Sequence, residues 1–498
     1  MKKTILTAVA VGLIVGFTAP AANTAPAANN ERGTINWHDC DAANQEAGAT
    51  LEGYECGTLT VPLDWDNLAN PANAQIAVVI HRTTSPKRIG ALTFNPGGPG
   101  ISGISRAKEY ATLIPTKIFT AFDFVAWDPR GVGLSQPQLV NCPAPSAPFP
   151  PATGPVDWEN YVTQTYDIVS AANKPCLDNN KDLAPYLGTY YVIRDLEAMR
   201  VALNFKKWNF MGDSYGSRVG YWYAREYPKS LRTLVLDGSY SPTLTATSWL
   251  AEQSYSYSSA QTVFTSLPGT STPWKLQRIF DALNEREVLV NGITSSRWAV
   301  AAEFFSLVPY QLYYQQIVEH INIVYDALFN PNKPTVPPSA PIDNEETTAN
   351  ELSILHVVNC RDLTDYPTIK EIAAAAEAAS FTSMGTALQI VQDGVNCAGF
   401  PDDFFHGYLP ATGQLRLKNS PVVVHSIGDP LLSYRGALEM ASFLRGAALI
   451  TYGGTQHVNY IGGPDSVCVN GAVTNYLLTA KTPASRFCKY VQRSWNTA

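Results

Sequence analysis

A serine between two glycines lies in the segment Gly212-Asp213-Ser214-Tyr215-Gly216. A serine hydroxyl is a weak nucleophile until a neighbouring base removes its proton, after which it attacks acyl carbonyl carbons. The pattern G-x-S-x-G places such a serine on a tight turn between a strand and a helix. An apolar strand pattern precedes this motif and a helical pattern follows it. The motif therefore predicts acyl-transfer chemistry at Ser214.

The base that this serine requires must come from seven histidines. In the fold that carries this motif, the chain order is serine, acid, then histidine. Two histidines precede the serine, three fall in or near a helical insertion, and one lies inside an apolar strand, where a buried structural role is expected. In chain order these six are His38, His81, His320, His356, His406 and His425. His457 remains, in the loop GGTQHVNY after a late strand, and is the predicted general base.

The acid that would orient this base is Asp429, at the end of the strand pattern PVVVHSIGD (421–429). Functional sites of open α/β sheets lie at the carboxyl ends of their strands. Asp429 and His457 are 28 residues apart, which leaves room for one helix and one strand. Asp237 also ends a predicted strand and is the alternative acid.

A glycine-rich segment, NPGGPG (95–100), follows the predicted strand ALTF (91–94). An oxyanion hole in this fold combines the N–H after the nucleophile with one from such an early loop. The predicted donors are therefore Tyr215 N–H and, among neighbouring candidates, Gly98 N–H. The segment 98–103 also matches the dinucleotide pattern G-x-G-x-x-G, with Asp123 downstream. Because Pro99 removes one backbone donor, we expect no dinucleotide, and no other cofactor or metal is indicated.

Short β-branched segments alternate with helical patterns along much of the chain, which predicts a mostly parallel sheet covered on both faces. After one of these strands, DPRGVGLS (128–135) is expected to form a structural loop near the site, with Arg130 held by a carboxylate. The predicted strands are 75–82, 91–94, 122–128, 208–212, 232–238, 421–429 and 447–454, and the clearest helices are 192–204 and 217–228.

The alternation breaks between residues 243 and 418, where longer helical patterns such as 310–328 and a Pro-rich loop (330–341) occur. Because strands of one sheet flank this segment, it is expected to form a helical cap over one end of the sheet. The predicted fold is thus an α/β-hydrolase fold with a cap insertion. Its predicted parts are a signal peptide (1–27), a first core part (28–242), the cap (243–418) and a C-terminal core part (419–498).

The N-terminus is typical of a secretory signal, because Lys2 and Lys3 precede an apolar run (5–17) and small residues. The run is too short to span a bilayer. We therefore expect an extracellular or periplasmic protein without stable membrane association after cleavage. An even number of cysteines in an exported chain indicates disulfides. They form four local couples and are expected to pair in sequence order: Cys40, Cys56, Cys142, Cys176, Cys360, Cys397, Cys468 and Cys488.

Composition places the chain among globular proteins and restricts its partners. Of its 498 residues, 45% are hydrophobic and 15% are charged. The formal net charge of -7 gives no basic surface for nucleic acid.

Five segments of the chain together resemble the secreted tripeptidyl aminopeptidases, which are prolyl-aminopeptidase-like α/β-hydrolases with a TAP-like C-terminal region. The resemblance covers nearly all of the mature chain, and its C-terminal part spans about 390–490. The five segments are CGTLTVPLDW (56–65), NPGGPGISG (95–103), DPRGVGLSQP (128–137), GDSYGSRVG (212–220) and HSIGDP (425–430).

The resemblance implies an exopeptidase that removes short peptides from free N-termini with Ser214, Asp429 and His457 as its triad. Two positions depart from the family pattern: Leu432-Ser433-Tyr434 replaces a Thr-Pro pair before an aromatic residue, and Gln456 replaces the usual glycine before the histidine. These departures bear on substrate preference rather than on the triad.

An aminopeptidase must also bind the α-ammonium of its substrate, for which a carboxylate in the cap is the natural partner. The candidates are Asp362, Glu345, Glu346 and Glu351. Two other interpretations remain open at this stage. One is a carboxylesterase or lipase with the same triad, and the other is a non-catalytic binding protein on the same fold. A cap over the site would admit only short or unstructured peptides.

Overall fold

The computed structural model describes residues 32–48, 50–143, 145, 148–267, 273–290, 293–332, 349–380, 384–461 and 466–492. The predicted signal peptide and the candidates Glu345 and Glu346 lie outside these residues. Within the described ranges, no helix combines the length and the apolar character needed to cross a bilayer.

A ten-stranded sheet forms the centre of the protein, and a two-stranded hairpin lies in the cap. The strands are β1 (Ile35–His38), β2 (Tyr54–Pro62), β3 (Asn73–His81), β4 (Gly90–Asn95), β5 (Phe122–Trp127), β6 (Trp208–Asp213), β7 (Leu231–Asp237), β8 (Val288–Val290), β9 (Ile293–Ser295), β10 (Val422–Ser426), β11 (Ala448–Tyr452) and β12 (Arg486–Cys488). The order in the large sheet is β1-β2-β3-β5-β4-β6-β7-β10-β11-β12. The first strands pair antiparallel, and the strands from β5 to β12 pair parallel.

Fifteen α-helices occur in the described part of the chain. They are α1 (Asp41–Glu46), α2 (Ala107–Leu113), α3 (Thr116–Phe119), α4 (Trp158–Asn179), α5 (Thr189–Ala202), α6 (Tyr215–Glu226), α7 (Ala246–Ser266), α8 (Pro273–Glu285), α9 (Arg297–Leu307), α10 (Tyr314–Phe329), α11 (Ala349–Asp362), α12 (Ile369–Ser380), α13 (Met384–Val395), α14 (Tyr434–Phe443) and α15 (Val467–Thr479).

Helices cover both faces of the sheet. All six residues of β6 are buried, and successive side chains on a strand point to opposite faces. Phe210 accordingly packs in a cluster with residues of α5, α6 and α14, whereas Met211 packs in a cluster with residues of α2, α3 and α15. This two-sided burial is typical of parallel sheets and explains why the strands are continuously apolar.

The seven predicted strands are confirmed, and the α/β-hydrolase arrangement with them. The strands β1, β2 and β12, at or near the edges of the large sheet, and the β8–β9 hairpin were not predicted. The edge strands β1 and β12 are short and have one strand neighbour each, so their sequences need not carry a continuous apolar run. The strand pattern 421–429 was predicted too long, because the chain leaves β10 after Ser426 and turns towards Asp429.

Helices α7 to α13 and the β8–β9 hairpin occupy the segment predicted as the cap. Most of them form two apolar clusters of their own, whereas Ile354, Val357 and Val358 of α11 pack in the cluster on one face of the sheet. One of these clusters also contains Trp158 and Val162 of α4, packed with Ile372 of α12 and Ile390 of α13. Helix α4, which precedes Ser214 in the chain, therefore packs together with helices of residues 243–418.

The cysteines form four disulfides that join neighbours in the sequence, as predicted. The pairs are Cys40–Cys56, Cys142–Cys176, Cys360–Cys397 and Cys468–Cys488. The third pair joins α11 to the chain after α13, and the fourth joins α15 to β12. Disulfides restrict the conformations of the unfolded chain and therefore stabilise the folded one.

Arg130 is held by a carboxylate, as predicted, and that carboxylate is Asp195 of α5. Arg130 Nε and Nη2 each donate to Asp195 at 2.7 Å, and Arg130 Nη1 donates to the carbonyls of Leu63 and Tyr186. Trp65 Nε1 donates to the same carboxylate at 2.8 Å. The two charged side chains are 1% and 0% exposed, so each charge depends on its partner.

Replacing Arg130 by Met should destabilise the fold by about 3–5 kcal/mol, because Asp195 would then be a buried carboxylate without its counter-ion. Arg82→Gln is the matched control. Its ion pair with Glu55 is 40% and 49% exposed, and such pairs contribute about 0–1 kcal/mol. Urea unfolding of both variants checks this. If both variants lose the same free energy of unfolding, the buried Arg130–Asp195 pair stabilises the fold no more than the exposed Arg82–Glu55 pair.

Candidate active site

Ser214 lies on the turn between β6 and α6, with φ 55° and ψ -122°. Few residues with a Cβ adopt this backbone conformation. The turn requires glycine on both sides. A Cβ on Gly212 would lie 2.1 Å from Gly216 O, and one on Gly216 would lie 2.3 Å from Asn95 O. The spacing of the G-x-S-x-G motif therefore has a steric cause.

The turn leaves Ser214 partly exposed while the other motif residues are buried. Its N–H donates to Asp237 O at 2.8 Å, which fixes the turn to the end of β7. Its carbonyl accepts the Ser217 hydroxyl at 2.6 Å. The Ser214 backbone is thus bonded on both sides, and its side chain lies at the carboxyl end of the sheet.

Asp429 and His457 are in direct contact. His457 Nδ1 lies 2.8 Å from Asp429 Oδ2 and 3.0 Å from Oδ1. An ionised carboxylate only accepts hydrogen bonds, so Nδ1 carries the proton and Nε2 is left to act as a base. The N–H groups of Leu431 and Leu432 also donate to Asp429 Oδ1, at 2.9 and 3.1 Å. The chain therefore fixes both the tautomer of His457 and the position of its partner.

Electrostatics favour the protonated form of the His457 ring. Burial by itself would lower the pKa of His457, but the Asp429 carboxylate, aided by Asp237 and Asp213, outweighs burial and raises it. A raised pKa makes the imidazole a stronger base towards a serine proton.

The alternative acid, Asp237, does not hydrogen-bond to the His457 ring. Its carboxylate accepts the N–H groups of Asn459 and Tyr460, at 2.9 and 2.8 Å, and the Asn459 side-chain amide at 3.2 Å. Burial raises the pKa of Asp237 and that of Asp213, whose carboxylate accepts the Tyr110 hydroxyl at 2.5 Å. Asp237 thus holds the loop that carries His457, which its position at a strand end did not reveal.

Ser214 and His457 both lie against the peptide unit that joins Asp237 to Gly238. Ser214 N–H bonds to Asp237 O, and a Cβ on the next residue, Gly238, would lie 3.2 Å from His457 Cε1. Gly238 has φ 60° and so accommodates the approach of the ring. Among the described residues, no hydrogen bond joins Ser214 Oγ to His457. Such bonds are often long without substrate and tighten in the reacting complex.

The glycine-rich loop lies against the nucleophile turn. A Cβ on Gly97 would lie 2.6 Å from Asp213 O and 2.9 Å from Ser214 Cβ. Gly97 N–H already donates to Asn95 Oδ1 at 3.1 Å. Neither Gly98 N–H nor Tyr215 N–H has a hydrogen bond to any residue that the structure describes, so both remain open to a substrate oxygen.

A buried carboxylate that sequence analysis did not assign, Asp128, holds this loop in place. It accepts the Ser102 hydroxyl at 2.6 Å, Ile104 N–H at 3.1 Å and Leu134 N–H at 2.8 Å. Burial raises its pKa to about 7. The segments 95–103 and 128–135 are therefore held together by this carboxylate. Asp123, the acid downstream of the dinucleotide pattern, binds Arg88.

The segment predicted as the cap is hydrogen-bonded to the loop of His457. His457 N–H donates to Pro309 O at 3.1 Å, and Gln456 Oε1 accepts Gln311 N–H at 2.9 Å. The hydroxyls of Thr455 and Tyr314 are also hydrogen-bonded. Gln456 thus connects the loop of His457 to the turn that precedes α10.

The described carboxylates among the amine candidates lie in different surroundings. Asp362 is buried, accepts Thr189 N–H at 2.9 Å and lies 3.6 Å from Arg218 Nε. Thr189 Oγ1 in turn contacts the Tyr215 hydroxyl at 2.9 Å. These partners occupy Asp362 and make it a support beneath Tyr215, which argues against its role as an amine ligand. Glu351 is half-buried, and a Cβ on Gly100 would lie 2.5 Å from its carbonyl oxygen.

The remaining histidines have other partners. His425 is fully buried, as predicted. Its Nδ1 accepts Ser239 N–H at 2.9 Å, and its Nε2 donates to Leu432 O at 3.0 Å. His356 lies between two asparagine side chains, of Asn173 and Asn396. His38, His81, His320 and His406 contact Thr58, Phe119, Glu303 and Asp66, respectively.

Comparison with known proteins gives two family matches. Residues 90–335 match the α/β-hydrolase fold, and residues 386–488 match the TAP-like protein family. The chain is a TAP-like α/β-hydrolase. The second match agrees with the C-terminal region predicted from the sequence. Together with the serine turn, membership of this family makes the chain a serine hydrolase.

Three relatives show the range of this family. Serine protease Hip1 of Mycobacterium tuberculosis is 29% identical over 494 residues, covering 91% of this chain and 90% of that protein. Tripeptidyl aminopeptidase of Streptomyces lividans is 32% identical over 222 residues, covering 43% of this chain and 40% of that protein. Carboxylesterase B of M. tuberculosis is 26% identical over 510 residues, covering 93% and 91%.

We expect Asp429→Asn to lower kcat/KM for a p-nitrophenyl ester by about 10⁴-fold, because an amide no longer imposes the reactive tautomer of His457. The rate rises with pH as His457 loses its proton. Since the carboxylate raises the pKa of His457, its removal should move this rise to lower pH.

Asp237→Asn is the matched control, since Asp237 raises the same pKa without touching the ring. This substitution should change both kcat/KM and the midpoint of the pH–rate profile less than Asp429→Asn does. The pH profiles of the two variants and the parent protein decide this. If Asp237→Asn proves the more damaging substitution, the acid has been assigned to the wrong strand.

Proposed function

We propose that the protein is a secreted serine exopeptidase that releases short peptides, of three residues, from free N-termini. The observation that carries this proposal is the His457–Asp429 pair beside the partly exposed Ser214, under a cap bonded to the same loop. The names of two relatives, a serine protease and a tripeptidyl aminopeptidase, support peptides as the substrate class.

In the proposed reaction, His457 Nε2 takes the Ser214 proton while Oγ attacks the scissile carbonyl carbon. Asp429 stabilises the resulting imidazolium and keeps Nδ1–H directed at itself. His457 then gives the proton to the leaving amine, and an acyl-enzyme remains on Ser214. Water, activated by the same ring, hydrolyses this ester and frees the serine.

Gly98 N–H and Tyr215 N–H are the proposed donors to the oxyanion. Gly97 N–H is already bonded to Asn95, whereas these two groups are open. Tyr215 also begins α6, so the helix dipole adds to the attraction for negative charge. Preorganised donors of this kind typically contribute a factor of about 10²–10³ each in rate.

The cap supports an exopeptidase rather than an enzyme that cuts folded proteins. The loop of His457 bonds to Pro309 and Gln311, and Glu351 of α11 packs on Gly100 of the oxyanion loop. Cap residues thus border the site on two sides. Among the described amine candidates, Glu351 has its backbone carbonyl oxygen beside Gly100 of this loop, whereas Asp362 is held by Thr189 and Arg218.

Export is supported by the signal-like N-terminus and by the four disulfides, which persist in oxidising compartments. The second candidate function is a carboxylesterase with the same triad. It is favoured by the similarity to carboxylesterase B over 93% of this chain.

The test is hydrolysis of chromogenic peptide amides of one to four residues, with free and with blocked N-termini, alongside a p-nitrophenyl ester. The proposal predicts fastest cleavage of the free tripeptide amide and loss of all activity in Ser214→Ala. Cleavage of the ester without any amide would overturn the exopeptidase and favour the esterase. Equal cleavage of blocked and free peptides would contradict the requirement for a free terminus.

A further inference from the structure

A small pocket lies between α7 and the loop that follows Asp429. It has room for a group about the size of a water molecule. Helix α7, the segment after β7 and the start of α14 enclose it. The residues that line it are Ser239, Ser241, Leu244, Trp249, Glu252, Gln253, Ser256, Leu431, Leu432, Ser433 and Gly436.

The hydroxyl hydrogens around this pocket are already committed to the protein. Ser239 donates to Leu236 O at 3.2 Å, and Ser256 donates to Glu252 O at 2.9 Å. Ser433 donates to the Glu252 carboxylate, and Ser241 donates to Glu439. The indole N–H of Trp249 donates to Asp393 at 2.7 Å. The four serine hydroxyls can therefore act only as hydrogen-bond acceptors towards a ligand.

One side chain of α7, Gln253, lacks part of its hydrogen bonding. Gln253 is 5% exposed, and its Oε1 has no hydrogen-bond partner, while its Nε2 donates to Leu431 O at 3.3 Å. An unpaired buried amide oxygen costs about 1–3 kcal/mol, so a donor in the pocket would be stabilising. Glu252 beside it is half-buried. Burial raises the pKa of Glu252, while Arg435 opposes the shift.

We propose that this pocket binds a primary ammonium group, held by the Glu252 carboxylate and Gln253 Oε1. Such a group has water-like size, three N–H donors and a positive charge, which matches the acceptors and the carboxylate. Its source is either a free cation or the terminus of a peptide substrate. Binding of a free cation is independent of the proposed function, whereas the peptide source rests on it.

A ligand bound in the pocket should affect the position of Asp429 through three consecutive residues of the chain. Leu431 and Leu432 donate their N–H groups to Asp429, and their carbonyls bind Gln253 and His425. Ser433, the next residue, binds Glu252. A ligand that tightens Glu252 and Gln253 therefore tightens the loop that positions Asp429.

The test uses methylammonium chloride as the probe and tetramethylammonium chloride as its match, because the latter has the same charge but no N–H. We expect methylammonium alone to raise the Tm of the full mature protein. Glu252→Gln should weaken this binding at least about tenfold, since it removes a charged acceptor. Gln253→Met should weaken it as well.

Glu439→Gln is the matched control, because Glu439 binds Ser241 and Thr243 next to the pocket without lining it. Because the charge of Glu439 also acts on Glu252 without touching the pocket, Glu439→Gln should reduce the methylammonium shift much less than Glu252→Gln does. If both cations raise the Tm equally, or if Glu252→Gln and Glu439→Gln reduce the methylammonium shift equally, the proposal is wrong. The pocket would then bind only water.

Inhibition experiments separate the two sources of the ammonium group. Competition by methylammonium against a free-terminus peptide amide, but not against an ester, assigns the pocket to the substrate terminus. A selective Tm shift without such competition assigns it to a free cation. If no peptide is cleaved while the shift persists, the exopeptidase proposal fails and the ammonium site stands.

Discussion

Ser214 adopts a backbone conformation that costs a residue with a Cβ on the order of 1–3 kcal/mol, and the surrounding contacts must hold it there. Gly212, Gly216 and Gly97 approach the turn so closely that any side chain on them would overlap backbone atoms. The bond from Ser214 N–H to Asp237 O joins this turn to β7. The positions of the oxyanion loop, of α6 and of the base loop all follow from this one crowded turn.

The base loop is held by carboxylates that have different tasks. Asp429 bonds to the His457 ring, and Asp237 bonds to the backbone beyond it. Asp128 likewise accepts backbone N–H groups and so holds the oxyanion loop in place. Each of these acids accepts backbone N–H groups, so burial is balanced by hydrogen bonds. Fixed dipoles around a reacting centre need no rearrangement when charge develops.

The sequence was sufficient for the features that depend on local pattern and chain order. Apolar runs gave the central strands, and the order serine–acid–histidine singled out Asp429 and His457, which the structure brings into contact. Local couples of cysteines gave the disulfides. These features are short-range, or they follow from the one-dimensional order of a known topology.

Features that depend on distant contacts were beyond the sequence. Nothing local marks α4 as a partner of cap helices more than 200 residues away, or Asp362 as the partner of Arg218. The tasks of Asp128 and Asp237 likewise depend on which N–H groups the fold brings to them. A carboxylate at a strand end is visible in the sequence, but its partner is set by tertiary packing.

The most direct test of the central claim is covalent labelling with a fluorophosphonate, followed by mass spectrometry of the tryptic peptide 208–218. This peptide contains both Ser214 and Ser217. An activated Ser214 should carry the phosphonyl group, and labelling should be lost in His457→Ala. Label on Ser217 or elsewhere, or equal labelling without His457, would contradict the account.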